Sequence, residues 1–122
     1  LGTLNLQNNQ IEQIGPKVGQ LSNLRTLNLA RNRIKKLPRQ LSKLIKLEYL
    51  DLSENELTNV PENMQACENL EVLYLQSNPI KSIVGSFQQM KTLKKVNLQG
   101  TRLPKEIVNN LRSEMPQTEI IH

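Results

Sequence analysis

Apolar residues recur along this chain at a fixed step of 23. Leu1, Leu24, Leu47, Leu70 and Leu93 hold the step. Leu4, Leu27, Leu50, Leu73 and Val96 follow it, as do Leu6, Leu29, Leu52, Leu75 and Leu98. Asn9, Asn32, Asn55 and Asn78 keep the same register, with Thr101 in the fifth place, and Ile11, Ile34, Leu57, Ile80 and Leu103 lie two residues further on. The apolar–polar–apolar centre of each unit predicts a short strand with one face inward. Five units without an insertion predict parallel strands stacked about 4.8 Å apart in one sheet. The asparagine should end each strand, because its amide both donates to and accepts from backbone groups that a turn leaves unpaired. Stacked copies should form a buried amide ladder, which Thr101 continues only in part.

The second half of each unit returns along the other side. Val18, Leu41, Met64 and Phe87 hold one inward position, and Leu21, Leu44, Cys67 and Met90 hold another. Pro38 and Pro61 fix φ where an extended or short 3₁₀ segment fits. Repeat one shifts its proline to Pro16 and repeat four has Ile83-Val84-Gly85 instead, so these two turns are expected to differ locally. After Leu103 the pattern changes. Pro104 is placed to open a helix, with Ile107, Leu111 and Met115 on one face and Val108 beside them. Pro116 should end it, and residues 118–121 read as a last strand. The expected organisation is a single domain over 1–122, with repeats 1–23, 24–46, 47–69, 70–92 and 93–103 and a C-terminal cap at 104–122.

The unit L-x-x-L-x-L-x-x-N-x-I-x-x-L-P resembles the 23-residue class of leucine-rich repeats, and residues 24–46 (LRTLNLARNRIKKLPRQLSKLIK) match it best. The resemblance implies an α/β solenoid: a right-handed superhelix with a concave parallel sheet, a mostly extended or 3₁₀ convex side, and a helix-plus-strand cap. The class is found in secreted or surface proteins of spirochaetes and Bacteroidetes-like bacteria, and in intracellular Ras-associated scaffolds of eukaryotes. The ending LPKEIVNNLRSEMPQTEII is similar to the tail of the bacterial members, which implies a secreted or cell-surface location over a cytoplasmic one, and a host-interaction role. Leu1 opens directly onto repeat pattern, with no basic-then-apolar leader and no apolar run of membrane-spanning length. The chain therefore reads as a piece of a longer protein, not inserted in a membrane, whose uncapped first repeat is open to an edge-to-edge homodimer.

Composition changes this picture little. Aromatics are only 2% of the chain, so the core must be built from Leu, Ile and Val. Cys67 is the only cysteine and shares its repeat place with Leu21, Leu44 and Met90, so it reads as a buried apolar thiol and not a nucleophile. The lone His122 is terminal, and no nucleophile–base pair, phosphate-cradling glycine loop or metal-ligand set is present, which argues against an enzyme and against any cofactor or metal.

The net charge of +5 suggests an acidic partner until it is mapped. Residues 24–46 carry Arg25, Arg31, Arg33, Lys35, Lys36, Arg39, Lys43 and Lys46 with no acid, whereas residues 47–69 carry Glu48, Asp51, Glu54, Glu56, Glu62 and Glu68 with no base. Arg25, Arg31, Arg33 and Arg39 stand 23 residues before Glu48, Glu54, Glu56 and Glu62, so a stack predicts four inter-repeat ion pairs. An acidic band in mid-array with few aromatics argues against nucleic acid and against glycan.

The outward strand positions remain as binding candidates. The third place of each unit holds Thr3, Thr26, Tyr49, Val72 and Lys95; the fifth holds Asn5, Asn28, Asp51, Tyr74 and Asn97. The seventh holds Gln7, Ala30, Ser53, Gln76 and Gln99, and the eighth Asn8, Arg31, Glu54, Ser77 and Gly100. Both tyrosines fall on this face as diagonal neighbours, and exposed tyrosine favours binding hot spots. The expected site is Tyr49, Tyr74, Asp51, Glu54, Arg31, Asn28 and Gln76, binding a protein or peptide ligand. The alternative is a structural spacer or self-association segment of a longer array.

Overall fold

The computed structural model describes residues 2–60, 64–83 and 90–122. Six three-residue strands form one parallel sheet in chain order: β1 (Thr3–Asn5), β2 (Thr26–Asn28), β3 (Tyr49–Asp51), β4 (Val72–Tyr74), β5 (Lys95–Asn97) and β6 (Glu119–Ile121). Thr3 pairs with Thr26, Thr26 with Tyr49, Tyr49 with Val72 and Val72 with Lys95, so the step of the sequence is the register of the sheet. The ladder runs on past the strands. Leu6 N–H donates to the Asn28 carbonyl at 2.8 Å and Asn8 N–H to that of Ala30 at 3.0 Å, with the same bonds in later repeats.

The central Leu27, Leu50, Leu73 and Val96 are buried, as are Leu29, Leu52, Leu75 and Leu98 two residues on. Leu41, Leu44, Met64, Cys67 and Met90 close the core from the return side, whereas Val18 and Leu21 of repeat one are half-buried. Phe87 lies outside the described residues.

The asparagine ladder is present and spans repeats. Asn55 Nδ2 donates to the carbonyls of Leu29 (2.9 Å), Leu52 (3.1 Å) and Ser53 (3.2 Å), and its Oδ1 accepts the Ile34 N–H at 3.0 Å. Asn32 and Asn78 repeat the pattern one turn earlier and later. Thr101 keeps a single bond, from its hydroxyl to the Leu98 carbonyl at 2.7 Å. A hydroxyl lacks the second arm of an amide, so it reaches only its own turn.

The returns are 3₁₀ turns at Pro16–Gln20, Arg39–Lys43 and Met64–Ala66. The local difference expected of repeat one is not found. Pro16 and Arg39 open their turns 23 residues apart, after Gly15 (φ −76, ψ 166) and Pro38 (φ −71, ψ 149). Both residues are extended, and a proline fits equally before or at the first turn position, so its shift leaves the backbone unchanged. The expected exception in repeat four falls on residues 84–89 and Pro61 on 61–63, both outside the described residues.

Helix α1 (Lys105–Glu114) follows Pro104, and β6 adds to β5. Val108, Leu111 and Met115 are buried, but Ile107 is 39% exposed. The stripe 108/111/115 shares two members with 107/111/115; the helix is rolled toward Val108, leaving its neighbour about 100° away on the outer side. β6 enters with Lys95 opposite Glu119, a step of 24. Thr118 Oγ1 donates to the Leu93 carbonyl at 2.7 Å, and Arg112 ties α1 to the Ile120 carbonyl at 3.1 Å. Among the described residues no helix is long and apolar enough to cross a membrane.

Candidate protein-interaction site

Side chains alternate across a strand, so burying the central leucines turns the third and fifth places out onto the concave face. Asp51 pairs with Tyr74 across β3 and β4, which brings Tyr49 diagonal to Tyr74. Their rings meet edge to face, with centroids 5.6 Å apart and planes at 88°. Lys95, one strand on, places its Nζ 5.6 Å from the centre of the Tyr74 ring. The two tyrosines and the lysine are half-buried. Partial burial, then the charge of Asp51 and the second ring, hold the Tyr49 phenol above its usual value, so it stays a neutral donor at physiological pH. The patch thus offers apolar area, a hydroxyl donor and a cation. Lys95 was not among the expected residues, although its place diagonal to Tyr74 at the strand step was a sufficient signal.

The remaining expected residues divide by role. Asn28 Oδ1 accepts the Ala30 N–H at 3.0 Å, and Asp51 Oδ1 accepts the Ser53 N–H at 2.9 Å and its hydroxyl at 2.6 Å. Asn5 and Asn97 do the same for Gln7 and Gln99. The fifth place is therefore a column of turn-making amides and carboxylates, and Tyr74 is its exception. A phenol cannot make that local bond, and a typical one contributes about 0.5–1.5 kcal/mol. Gln76 is half-buried, and its Oε1 is buried without a hydrogen-bond partner.

Arg31 Nε and Glu54 Oε2 lie 2.6 Å apart, an ion pair three residues beyond the strands. The hydrogen bond to Glu54, then its charge, raises the Arg31 pKa further. Both residues are left-handed, at φ 58 and 54, as are Asn8, Ser77 and Gly100. The eighth place demands this conformation of any residue, which costs about 1–2 kcal/mol with a Cβ and little with glycine. Arginine and glutamate are poor choices there on stability alone.

Two expectations about this surface are corrected. Ala30 and Ser53, expected to face out at the seventh place, are buried; their short side chains do not rise above longer neighbours such as Gln76. Of the four expected ion pairs, Arg25–Glu48 (2.8 Å) and Arg31–Glu54 form, but Arg33 and Glu56 do not meet. Exposed long side chains gain little by pairing against hydration and entropy. Arg39 is described, but Glu62 is not. A pair at the same step went unexpected: Lys94 Nζ to Glu71 Oε1 at 2.8 Å, which raises the lysine pKa through its hydrogen bond first. Cys67 is buried, with Sγ 3.8 Å from the Leu41 carbonyl, and burial pushes its pKa up to about 11.

Two leucine-rich-repeat family models match the chain, one over residues 1–57 and one over 69–90. The chain is a leucine-rich-repeat protein. Its fold superposes on the solved structure of a Leptospira interrogans leucine-rich-repeat protein with a TM-score of 0.84 and 26% identity, covering 100% of this chain and 37% of that one. The LRIM1/APL1C complex contains a chain similar to it at a TM-score of 0.77 and 28% identity, over 84% of this chain and 20% of the other. The functional domain of InlJ from Listeria monocytogenes shares the fold at a TM-score of 0.78 and 24% identity, over 100% and 24%. A search of curated protein sequences finds no match. This leucine-rich-repeat protein thus spans about a third or less of its structural neighbours. Leucine-rich repeats generally serve as protein-interaction modules and not as catalysts.

Proposed function

We propose that this chain binds a protein or peptide ligand on its concave sheet, with Tyr49, Tyr74 and Lys95 as the anchor. Asn28, Asp51, Gln76, Arg31 and Glu54 surround it. The edge-to-face tyrosine pair, with the Lys95 ammonium over the Tyr74 ring, carries this reading. Tyr74 stands where the repeat otherwise places a turn-making residue, and aromatic anchors of this kind dominate interface energetics. The same reading makes the chain a non-catalytic module. The Leptospira interrogans neighbour favours a bacterial source, and the C-terminal resemblance to bacterial members extends the proposal to a secreted or surface protein with a host-interaction role. The LRIM1/APL1C neighbour, a protein complex, favours a protein partner over nucleic acid.

A hydrogen-exchange footprint of the chain with a partner captured from its source organism tests the proposal. Protection should centre on 49–51, 72–74 and 95–97. Protection confined to the 3₁₀ turns would refute it. A second reading, self-association, is favoured by one observation. Leu4, Leu6, Ile11, Ile14 and Val18 are half-buried and line a cavity of about 550 Å³ beside β1. Sedimentation showing a dimer that Leu6→Lys dissolves would support it, and a monomer at high concentration would remove it.

A further inference from the structure

Beyond the asparagine turns, on a side of the solenoid away from the tyrosines, two furrows flank one ridge. The first, about 920 Å³, lies between residues 12–16 and 33–38. The second, about 870 Å³, lies between residues 35–39 and 56–60. Lys35, Lys36, Leu37 and Pro38 wall both. Leu37 and Pro38, with Ile14 across the first furrow, are half-buried and give it an apolar floor. Arg33, Lys35, Lys36 and Arg39 are exposed, and no described carboxylate lies within ion-pair distance of any of them. Glu12 and Glu56 also line the first furrow, unpaired.

We infer that this ridge and its furrows form a second docking surface, for an extended acidic peptide segment with an apolar side chain among its carboxylates. Carboxylates would meet Lys35, Lys36 and Arg33, and the apolar side chain would lie on Leu37 and Ile14 between Pro16 and Pro38. Unpaired cations above an apolar floor are complementary to that pattern: the floor gains by losing its water, and the cations offset the cost of theirs by pairing with carboxylates. A polyanion of uniform charge fits less well. Glu12 and Glu56 interrupt the basic surface, and among the described residues no aromatic side chain lines either furrow for bases to stack on.

Fluorescence anisotropy of the 122-residue chain with a labelled ten-residue peptide of alternating Glu and Ala around a central Leu tests this. Saturable, salt-sensitive binding is expected, at least tenfold stronger than to an oligothymidylate of equal charge. Lys35→Glu with Lys36→Glu should weaken it at least tenfold. Lys91→Glu with Lys105→Glu, the same charge change elsewhere, should weaken it less than threefold. Tyr49→Ala with Tyr74→Ala should leave it unchanged, which separates this surface from the concave one. No saturable binding, equal loss in both charge-reversed variants, or preference for the oligonucleotide would overturn the inference.

Discussion

Asparagine forms two columns along this solenoid, one inside and one outside, and they differ in what they hold together. The ninth-place Asn32, Asn55 and Asn78 are buried, and each binds carbonyls of its own turn and of the turn before, whereas Asn9 is exposed and binds only its own turn. The fifth-place oxygens accept from two residues ahead, within their own turn, and among the described residues the one bond that leaves the turn is a side-chain bond on the surface, from Asn28 Nδ2 to Gln7 Oε1. Bonds that cross repeats fix the stack, so their column tolerates no change until Thr101 at its end. Bonds that stay within a repeat can be given up one at a time. Tyr74 gives one up while Asp51, Tyr74 and Asn97 keep their register. Breaks in an outer column therefore mark residues held for a purpose other than folding.

Asn55→Ala should strike this difference hardest. It removes three buried bonds to carbonyls that each keep a second donor and leaves the buried Ile34 N–H unpaired; a drop of about 3 kcal/mol in urea-derived stability is expected, the unpaired N–H costing about 1–3 kcal/mol and each lost bond about 0.5–1.5 kcal/mol. Asn28→Ala, in the outer column, should cost about 1 kcal/mol. Equal losses would erase the distinction.

Alkaline pH probes the inner side without mutation. The Cys67 pKa is raised in the fold from 9.0 to about 11, so the unfolded chain loses its proton first. Stability should therefore fall as pH rises from about 9 to 11, by on the order of 2 kcal/mol. Cys67→Ala should flatten that slope whatever its effect on absolute stability, as read by urea melts at pH 8, 9 and 10. An unchanged slope would deny that the thiol is held neutral by burial.

The outer charge pairs should matter less. Side chains of Arg31 and Glu54 are 62% and 49% exposed, and a double-mutant cycle should give a coupling of about 0.2–1 kcal/mol that fades in 1 M salt. Arg33 with Glu56 should show none. The smallest effect belongs to the eighth place. Ser77→Gly should stabilise by a net of about 0.5 kcal/mol, the left-handed relief of about 1–2 kcal/mol being offset by about 0.4–1 kcal/mol from a looser unfolded chain. A loss there would mean that the backbone at Ser77 is unstrained.

Strand positions, register, the asparagine ladder and the tyrosine contact could all be read from the step of 23, because stacking turns sequence distance into lateral adjacency. Features set by three-dimensional direction could not. Ile107 and Val108 are equal candidates until the roll of α1 is known. Arg33 and Glu56 are as well registered as Arg25 and Glu48, yet stay apart. The left-handed eighth place has no residue signature when Asn, Arg, Glu, Ser and Gly all occupy it. The basic furrow depends on what a column faces, and spacing does not report that.

The central claim is that Tyr49 and Tyr74 are held for binding and not for the fold. Replacing each by the residue its column otherwise carries, Tyr49→Thr with Tyr74→Asn, tests it most directly, with calorimetric titration of the captured partner beside a urea melt. Stability should stay within about 1 kcal/mol, because the lost ring contact and the regained turn bond are of similar size. Affinity should fall at least about thirtyfold, the effect of an anchor worth about 2 kcal/mol, while Lys17→Ala with Lys91→Ala leaves it unchanged. Full affinity in the tyrosine-free chain, with loss in the lysine pair, would contradict the account.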